Sequence, residues 1–284
     1  MFTVRPSVPE DVPVQRELWK LAFGDSEAYL DNFYQNYYRP ERVVVLEEDG
    51  VVRSMTAWFD TTFVVPSQGE YRTAYLYAVA THPGCRGRGL AARLLAGADS
   101  CFRSLGISAV TTVPAEPSLH KFFGTNGFRE CFVHSQLAQP DPSDSSGQCP
   151  CTIDPLPAAV YASLRETLLL GSLHISLSAE VITYQEGACR LSGGGLYAVE
   201  TPAGVCALCA EGMEDGRLLV KELLGAPEAR ALALDWLAVL LPRWSGLYRV
   251  AEGSTPFGML KWLEPALEKG WDWSAAGYLG LAFD

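Results

Sequence analysis

The sequence predicts an α/β fold, in which a mixed sheet packs against helices as in α+β proteins, and it predicts this fold twice along the chain. Three observations support the prediction. Strand-like and helix-like apolar patterns follow one another in the order β-α-α-β-β-β-α-β-α-β up to about residue 138. A glycine-rich segment joins a buried strand to an amphipathic helix. The second half of the 284 residues repeats most of the same order, and the chain is long enough for two domains.

The first half divides at recognisable start and stop signals. Ser7 begins a helix with capping-box spacing, and Ser26 caps a second helix whose apolar stripe contains Phe33 and Tyr34. Asp49-Gly50 between two apolar runs predicts a hairpin with a type I′ turn. The other predicted elements are strands at 2–5, 43–46, 51–59 with its continuation at 63–65, 75–80, 107–113 and 128–137, and helices at 90–105 and 118–125.

The second half is predicted to repeat this order without the two early helices. Its elements are a hairpin at 196–209, a strand at 218–224, a helix from residue 227, a strand at 247–251, a helix at 258–269 and a last strand at 278–283. The loop Gly225-Ala-Pro-Glu228 lacks paired glycines and places a carboxylate at a helix start, where it would repel phosphate. We therefore expect no cofactor in this half.

Composition sets the predicted domain boundaries. Residues 139–157 are rich in Pro, Ser and Asp, which is typical of a linker or a long exposed loop. The predicted domains are therefore 1–138, which carries the glycine-rich segment, and 158–284, a degenerate copy of it.

The glycine-rich segment has the composition of an anion-binding turn. Tyr75–Ala80 reads as a buried strand, Pro83 and Gly84 break it, and Gly87 and Gly89 precede a helix that begins near Leu90. Glycines between a strand and a helix allow backbone N–H groups to close on an anion, and the helix N-terminus adds partial positive charge.

A dinucleotide site is one interpretation of this turn, because Gly87-x-Gly89-x-x-Ala92 satisfies the loose pattern G-x-G-x-x-G/A. A Rossmann turn, however, places its first glycine directly after the first strand of a βαβ unit. Here residues 81–86 intervene, and hairpins precede the strand. No Walker motif occurs. A nucleotide-binding oxidoreductase is the alternative function that this pattern leaves open.

Arg86-Gly87-Arg88-Gly89-Leu90-Ala91 resembles the R/Q-x-x-G-x-G/A motif of the GCN5-related N-acetyltransferases (GNAT). Gly127-Phe128 is similar to the end of the family's closing segment, with Phe123 where the family usually has a tyrosine. The resemblance covers residues 1 to about 138, and the predicted order of elements there is that of the GNAT fold. The repeated arrangement resembles the Eis-type acetyltransferases, whose second acetyltransferase-like domain helps to wall the acceptor site.

The resemblance implies acetyl-CoA as the acetyl donor and a direct attack by an amine in a ternary complex. It implies that the pantetheine arm pairs with the backbone of Val79, Ala80 and Thr81, and that an N–H near Val79 stabilises the oxyanion. It also implies that the pyrophosphate is held by residues Arg86, Gly87, Arg88, Gly89, Leu90, Ala91 and Ala92.

The groups that transfer protons are less obvious. Thr73 and Phe123 stand where relatives carry a base and an acid, and neither side chain suits proton transfer. The candidates are Glu116, Tyr77 acting through a water, and Asp284, since resemblance to Eis-type enzymes implies the C-terminal carboxylate as base. A non-catalytic acyl-CoA-binding or interaction protein is the alternative.

Charge and composition limit the kinds of partner that we expect for this protein. The net charge is −11 and lies mostly in the second half, which argues against nucleic acid and fits a small cationic amine as substrate. No apolar run reaches the roughly 20 residues of a membrane span, and the N-terminus lacks a signal-peptide pattern, so we expect no membrane partner and a cytoplasmic location. The eight cysteines match no zinc spacing, so no metal is predicted. A homo-oligomer is left open.

Overall fold

A computed structural model of the chain describes residues 1–139 and 148–283. The strands are β1 Phe2–Pro6, β2 Val43–Glu48, β3 Val51–Val65, β4 Gly69–Thr81, β5 Ala109–Thr112, β6 Arg129–Ala138, β7 Thr152–Pro155, β8 His174–Leu177, β9 Gly195–Thr201, β10 Gly204–Gly212, β11 Leu218–Leu224 and β12 Trp244–Trp262. The helices are α1 Val12–Phe23, α2 Glu27–Asn36, α3 Leu90–Ser104, α4 Pro117–Thr125, α5 Ala158–Leu168, α6 Ala179–Leu191, α7 Pro227–Leu240 and α8 Pro265–Gly270.

The chain forms two compact units, of which the first contains Met1–Phe132 and Phe257–Ala276. Its sheet has the order β1-β2-β3-β4-β5, antiparallel except for the parallel pair β4–β5, and Met259–Trp262 of β12 continues it antiparallel to β5. Helix α3 connects β4 to β5, as a parallel pair requires. The first unit therefore contains the mixed sheet that the sequence predicts.

Two apolar layers cover the sheet of the first unit. In one, α3 buries Leu90, Leu94 and Phe102 together with Trp58 and Leu76 of the sheet. The other layer is aromatic and comes mainly from α1, α2 and the sheet: Trp19, Phe33, Tyr37, Phe59, Tyr75 and Tyr77. Tyr77 of β4 lies in this aromatic layer and so faces away from α3.

Local signals explain the elements of the first unit. The Ser26 side chain accepts a hydrogen bond from the Tyr29 N–H at 3.2 Å, which caps α2 as predicted. Asp49 and Gly50 both have positive φ, 52° and 81°, as a type I′ hairpin turn requires. The element order predicted for the first half is confirmed.

The second unit contains Val133–Pro256 and Gly277–Phe283. Its strand order is β7-β9-β10-β11, followed by residues 244–248 of β12, which pair parallel to β11. The sequence order is strand, helix α5, helix α6, hairpin β9–β10, strand β11, helix α7 and a parallel strand, with β8 between the two early helices. Apart from β8, this is the order from β1 to β5 in the first unit.

Helices α5 and α6 correct the prediction that the second half lacks the two early helices. Helix α6 begins at the cap Ser178, whose Oγ accepts from the Val181 N–H at 3.3 Å. It buries adjacent positions, including Val181 and Ile182, so that its buried face is wide. A helix that is apolar over so wide a face does not show the narrow stripe on which the sequence prediction depended.

Three further predictions for the second half are wrong in detail. Residues 258–262 belong to strand β12, because Met259–Trp262 pair with β5, and only Pro265–Gly270 is helical. In the predicted strand 278–283, Tyr278 forms a single bridge with His174, and Gly280 has φ +79°, which is not a strand conformation. Within the predicted linker 139–157, Thr152–Pro155 pairs with β9 as strand β7, while residues 140–147 lie outside the described ranges.

Candidate active site

The glycine turn lies between the end of β4 and the start of α3. A short 3-10 turn at Pro83–Cys85 follows β4, and Gly87 and Gly89 then adopt φ values of +75° and +74°. Both values lie in the left-handed region, where a Cβ is disfavoured. Gly89 is the residue that precedes helix α3. The two glycines of the sequence motif are therefore required by the backbone of this turn.

The backbone amides that follow the turn point out of the start of α3. The first intrahelical bond joins the Arg93 N–H to the Gly89 carbonyl at 3.1 Å, so the amides of Leu90, Ala91 and Ala92 precede it and have no acceptor within the helix. Helix α3 is 15 residues long, and its dipole adds partial positive charge at this end. This end of α3 has the properties of a phosphate-binding helix terminus.

The space around the two glycines tests whether a ligand fits. A Cβ built on Gly87 or Gly89 meets no heavy atom within 4 Å, so both positions open to free space. Gly97 in the same helix differs, because its Cβ would lie 2.5 Å from the Val4 side chain and close packing accounts for this glycine. The turn therefore leaves room for a phosphate that side chains at residues 87 and 89 would occupy.

The two arginines of the turn make different contacts. Arg88 donates to the carboxylate of Glu48, with one bond of 3.0 Å and a second, shorter one. The hydrogen bond from Arg88 lowers the pKa of the Glu48 carboxyl. Arg86 donates through Nε to the Thr81 carbonyl at 3.3 Å and is exposed. The charge of Arg88 is thus balanced by Glu48 in this conformation.

A β-bulge interrupts β4 near its end, before the glycine turn. Ala57 of β3 pairs with Tyr77, whereas Met55 pairs with Ala80, so β4 carries one residue more than β3 between these pairs. Ala78 lies at the bulge and has φ +50°, a strained value for a residue with a Cβ. The bulge changes the direction of the backbone at Val79, where the resemblance implies the oxyanion donor.

Strand β4 parts from β5 in the same region. The parallel pairs of β4 with β5 run from Thr73↔Ala109 to Tyr75↔Thr111, while β4 itself continues to Thr81. On the other edge, β3 still pairs with Ala80 and Thr81. In the described part of the chain, the end of β4 therefore has a strand partner on one edge only. The other edge, at Val79–Thr81, is where the resemblance implies that the pantetheine arm pairs.

Tyr77 is held firmly beside the bulge. Its hydroxyl lies 3.1 Å from the hydroxyl of Tyr29 on α2. Its ring packs edge-on against Trp19, with ring centroids 5.2 Å apart, and at a tilt against Phe59, with ring centroids 5.1 Å apart. Both Tyr77 and Tyr29 are half-buried. The sequence analysis did not select Tyr29 as a site residue. The signal was present, because Tyr29 lies four residues before Phe33 and therefore on the same face of the helix.

The structure gives Thr73 and Phe123 structural environments. The Thr73 side chain is 1% exposed and its hydroxyl donates to the Tyr71 carbonyl at 2.9 Å. Phe123 is 4% exposed and packs against Phe128, with ring centroids 5.4 Å apart, in the core beneath α3. Neither position offers a group that can transfer a proton.

The other candidates differ in placement. Glu116 precedes α4, is exposed, and accepts a hydrogen bond from the Ser118 hydroxyl at 3.3 Å. In the described ranges no hydrogen bond joins it to Tyr77. Asp284 lies outside the described residues. The structure thus places Tyr77 beside the bulge and leaves the roles of Glu116 and Asp284 as predictions.

The corresponding turn in the second unit differs in two ways. A Cβ on Gly225 would lie 2.7 Å from the Cys206 sulfur, so packing fills the space that is open at Gly87 and Gly89. Glu228 stands in the first turn of α7. The face of β11 that meets α5 carries an Arg165–Glu222 ion pair in which neither side chain is exposed to solvent.

Neither metal ligands nor a membrane segment are found in the described chain. Residues 1–139 and 148–283 contain no group of three or more His, Cys, Asp or Glu side chains arranged to hold a metal ion. None of the helices in these ranges has the length and apolar character that crossing a bilayer requires.

Comparison with known proteins gives a family for the first half. Residues 3–128 match the family model described as an acetyltransferase (GNAT) domain. No curated protein sequence matches the chain.

Several solved structures share the fold over nearly the whole chain. A GCN5-related N-acetyltransferase from Anabaena variabilis has a TM-score of 0.70 and 15% identity, covering 93% of this chain and 73% of its own. Eis1 from Mycobacterium abscessus has a TM-score of 0.62 and 12% identity, covering 92% and 74%. A GCN5-related N-acetyltransferase from Sphaerobacter thermophilus has a TM-score of 0.54 and 15% identity, covering 93% and 96%. At these identities the likeness is one of fold.

Proposed function

Residues 3–128 belong to the GNAT family of acetyltransferases, and from this premise we propose that the protein transfers an acetyl group from acetyl-CoA to a primary amine. The observation that carries the proposal is the glycine turn at Gly87 and Gly89. Both of its Cβ positions are open, and it leads directly into the first amides of α3. A phosphate-bearing acetyl donor matches this turn because backbone N–H groups and a helix dipole converge there.

The residues that would hold the donor form two groups. The amides of Leu90, Ala91 and Ala92, with the turn at Arg86–Gly89, would bind the pyrophosphate. The edge of Val79, Ala80 and Thr81 beside the gap between β4 and β5 would pair with the pantetheine arm. Acetyl-CoA would supply the activated acetyl group, and the Val79 amide behind the bulge would stabilise the oxyanion.

The acceptor would approach from the aromatic side of β4 and attack directly in a ternary complex. Tyr77 lies on this side, one residue before Ala78, and Tyr29 is also half-buried there. A small cationic amine suits these rings, whose faces attract cations. The net charge of −11 favours the approach of such a substrate.

Three residues are candidates for handling protons. Tyr77 is favoured by its fixed position beside the bulge, where its hydroxyl can hold the amine directly or through a water. Glu116 and Asp284 are the carboxylate candidates. Glu116→Gln removes one carboxylate, and deletion of Asp284 moves the C-terminal carboxylate back by one residue. A variant that loses kcat but still binds acetyl-CoA would identify its carboxylate as the base.

The second half has a different role in this proposal. We take 1–138 as the acetyl-CoA-binding domain, 139–157 as the connection and 158–284 as a degenerate GNAT-like domain without a cofactor. Two segments depart from these bounds, since Phe257–Ala276 groups with the first unit and Thr152–Pro155 is strand β7 of the second. The filled space at Gly225, Glu228 at the start of α7 and the buried Arg165–Glu222 pair support this assignment. Calorimetry would then give one acetyl-CoA per chain, and a stoichiometry of two would overturn it.

Thiol release is the direct test of the proposed reaction. The protein is mixed with acetyl-CoA and each of a panel of small primary amines, and free thiol is followed against a no-amine control. At least one cationic amine should give turnover that depends on both substrates. Binding of acetyl-CoA without turnover for any amine would refute the proposed reaction.

That outcome would favour the second candidate, a non-catalytic acyl-CoA-binding or interaction protein. The specific observation for it is that Thr73 and the buried Phe123 occupy the positions from which relatives transfer protons. If the protein does catalyse, Phe123→Tyr should keep turnover within about tenfold or raise it, since a general acid contributes roughly 10²–10⁴-fold where it acts. The melting temperature reports any cost of the added hydroxyl in this apolar core.

A further inference from the structure

Two tyrosine hydroxyls meet between α2 and β4, and the proposed function uses only one of them. The Tyr29 and Tyr77 oxygens are 3.1 Å apart, within hydrogen-bonding distance, with either able to donate. Tyr77 is fixed by the rings of Trp19 and Phe59. Tyr29 is fixed at the start of α2, where its N–H binds the Ser26 cap. The pair is therefore positioned by rigid elements on both sides.

A pair of phenols in contact can transfer a proton over a longer distance than a single phenol can. A protonated phenol is no base at neutral pH, but it can accept one proton while it passes on its own. Two phenols in contact extend this transfer over the distance between them. Tyr29 is half-buried, so solvent reaches part of the residue, whereas the buried Thr73 hydroxyl is engaged with the Tyr71 carbonyl.

We propose that Tyr29 and Tyr77 form a proton relay that carries a proton from the attacking amine to solvent. This proposal rests on the proposed function and deepens it. The neutral amine nitrogen forms a bond to the acetyl carbon, and the bond from that carbon to sulfur breaks. The nitrogen gives one proton to the Tyr77 oxygen, Tyr77 gives its proton to Tyr29, and Tyr29 gives its proton to water. The thiolate takes one proton from water, so the products are the amide and the thiol.

Tyr34 shows what a structural tyrosine on the same helix looks like. Its hydroxyl donates to the side-chain carbonyl of Gln15 at 3.2 Å, and an amide oxygen that accepts this bond does not pass a proton on. Burial, with the nearby Tyr38, raises the pKa of Tyr34 well above its ordinary value. Tyr34→Phe is therefore the matched control, because it removes one phenol hydroxyl from α2 without touching Tyr77.

The test compares Tyr29→Phe, Tyr77→Phe, the double variant and Tyr34→Phe. Tyr29→Phe should lower kcat by about 10- to 100-fold and reduce the solvent deuterium isotope effect on kcat. Binding of the amine to the CoA complex, measured by calorimetry, and the melting temperature should change little. The double variant should be no slower than the slower single variant, because two members of one relay act as a unit. Tyr34→Phe should keep the kcat of the wild type.

Three results would overturn the relay. They are an unchanged kcat in Tyr29→Phe, losses that multiply in the double variant, and a loss in Tyr29→Phe that Tyr34→Phe or a fallen melting temperature reproduces. Failure of the proposed function itself looks different, because the wild-type protein would then release no thiol with any amine of the panel.

Discussion

The guanidinium of Arg88, between the two glycines of the turn, lies against the carboxylate of Glu48 at the end of β2. Arg88 is thus engaged by a carboxylate at the place where the proposed donor would bring its phosphates. Solvent reaches both partners of this contact, with 45% of the Arg88 side chain and 20% of the Glu48 side chain accessible. A phosphate would compete with Glu48 for this guanidinium.

This competition predicts that Glu48→Gln binds acetyl-CoA more tightly than the wild type, by about two- to fivefold, because it frees Arg88 and removes a negative charge. Arg88→Gln should bind more weakly by a similar factor. Glu70→Gln, which removes the same charge from the opposite end of β4, is the control and should bind like the wild type. Calorimetric titration with acetyl-CoA measures all three, and weaker binding by Glu48→Gln would contradict the competition.

The buried ion pair of the second unit predicts a large loss of stability in Glu222→Gln. Glu222 accepts from Arg165 Nε at 3.1 Å, from the Tyr161 hydroxyl at 3.0 Å and from the Tyr278 hydroxyl at 2.9 Å. Burial, and then the negative charge of Glu222, raises the pKa of both phenols. Removing the carboxylate leaves the buried Arg165 charge with only the partly exposed Glu166, 3.3 Å away, as a counterion. The free energy of unfolding should therefore fall by up to about 3–5 kcal/mol.

Glu186→Gln is the control for that change, because Glu186 pairs with Arg190 on an exposed face of α6. This substitution should alter the free energy of unfolding by no more than about 0.5 kcal/mol. Urea denaturation of both variants measures the difference. Equal and small losses would mean that the buried pair is not what holds α5 to β11.

Two glycines in helices should respond to alanine in opposite directions. Gly97→Ala places a Cβ within 3 Å of three Val4 side-chain atoms, so overpacking of β1 against α3 should destabilise the protein by about 1–3 kcal/mol. Gly124→Ala in α4 meets no atom within 4 Å and should be neutral or stabilising by up to about 1 kcal/mol, the gain in helix propensity. Thermal melts of the two variants should therefore shift in opposite directions or differ clearly; a stabilised Gly97→Ala would contradict the packing of α3 on β1.

Stability should fall in acid through Asp11. Arg5 donates to both Asp11 oxygens, at 2.7 and 3.0 Å, and this contact lowers the pKa of the Asp11 carboxyl below its ordinary value. A carboxyl whose pKa is lower in the folded state stabilises the fold above its unfolded pKa of about 3.9. That contribution is lost as the pH falls through the folded pKa.

Asp11→Asn should accordingly reduce the free energy of unfolding by about 1.5–3 kcal/mol at pH 7. The gap in unfolding free energy between variant and wild type should begin to narrow below about pH 4, where Asp11 of the unfolded chain takes up its proton, and should close as the pH falls through the lower folded pKa. Urea titrations at pH 7 and pH 3 test the sign, and a gap that widens in acid would be inconsistent with the lowered pKa.

The first unit could be predicted from the sequence because its signals are local. A helix cap is set by the side chain of Ser26, and a hairpin turn by the residue types Asp49 and Gly50. The glycines at positions 87 and 89 likewise indicate positive φ values, which other residues avoid. These signals predicted the element order and the turn at the start of α3 without knowledge of the packing.

The parts that could not be predicted depend on contacts between distant residues. Ala78 carries no signal for a positive φ, because its bulge results from the register of β3 against β4. Tyr29 becomes part of the site only where α2 meets β4. Likewise, Met259–Trp262 form a strand because β5 offers a partner, although the residues allow a helix.

The central claim is that the turn at Gly87 and Gly89 binds the phosphates of acetyl-CoA. Calorimetric titration of wild type, Gly89→Glu and Gly106→Glu with acetyl-CoA, and of the wild type with NAD, tests it most directly. Gly106 has nearly the same φ, +71°, at the far end of α3, so its substitution matches the backbone strain and the added charge. We predict one acetyl-CoA site in the wild type and in Gly106→Glu, its loss in Gly89→Glu, and no binding of NAD. Undiminished binding by Gly89→Glu, or binding of NAD in place of acetyl-CoA, would contradict the account.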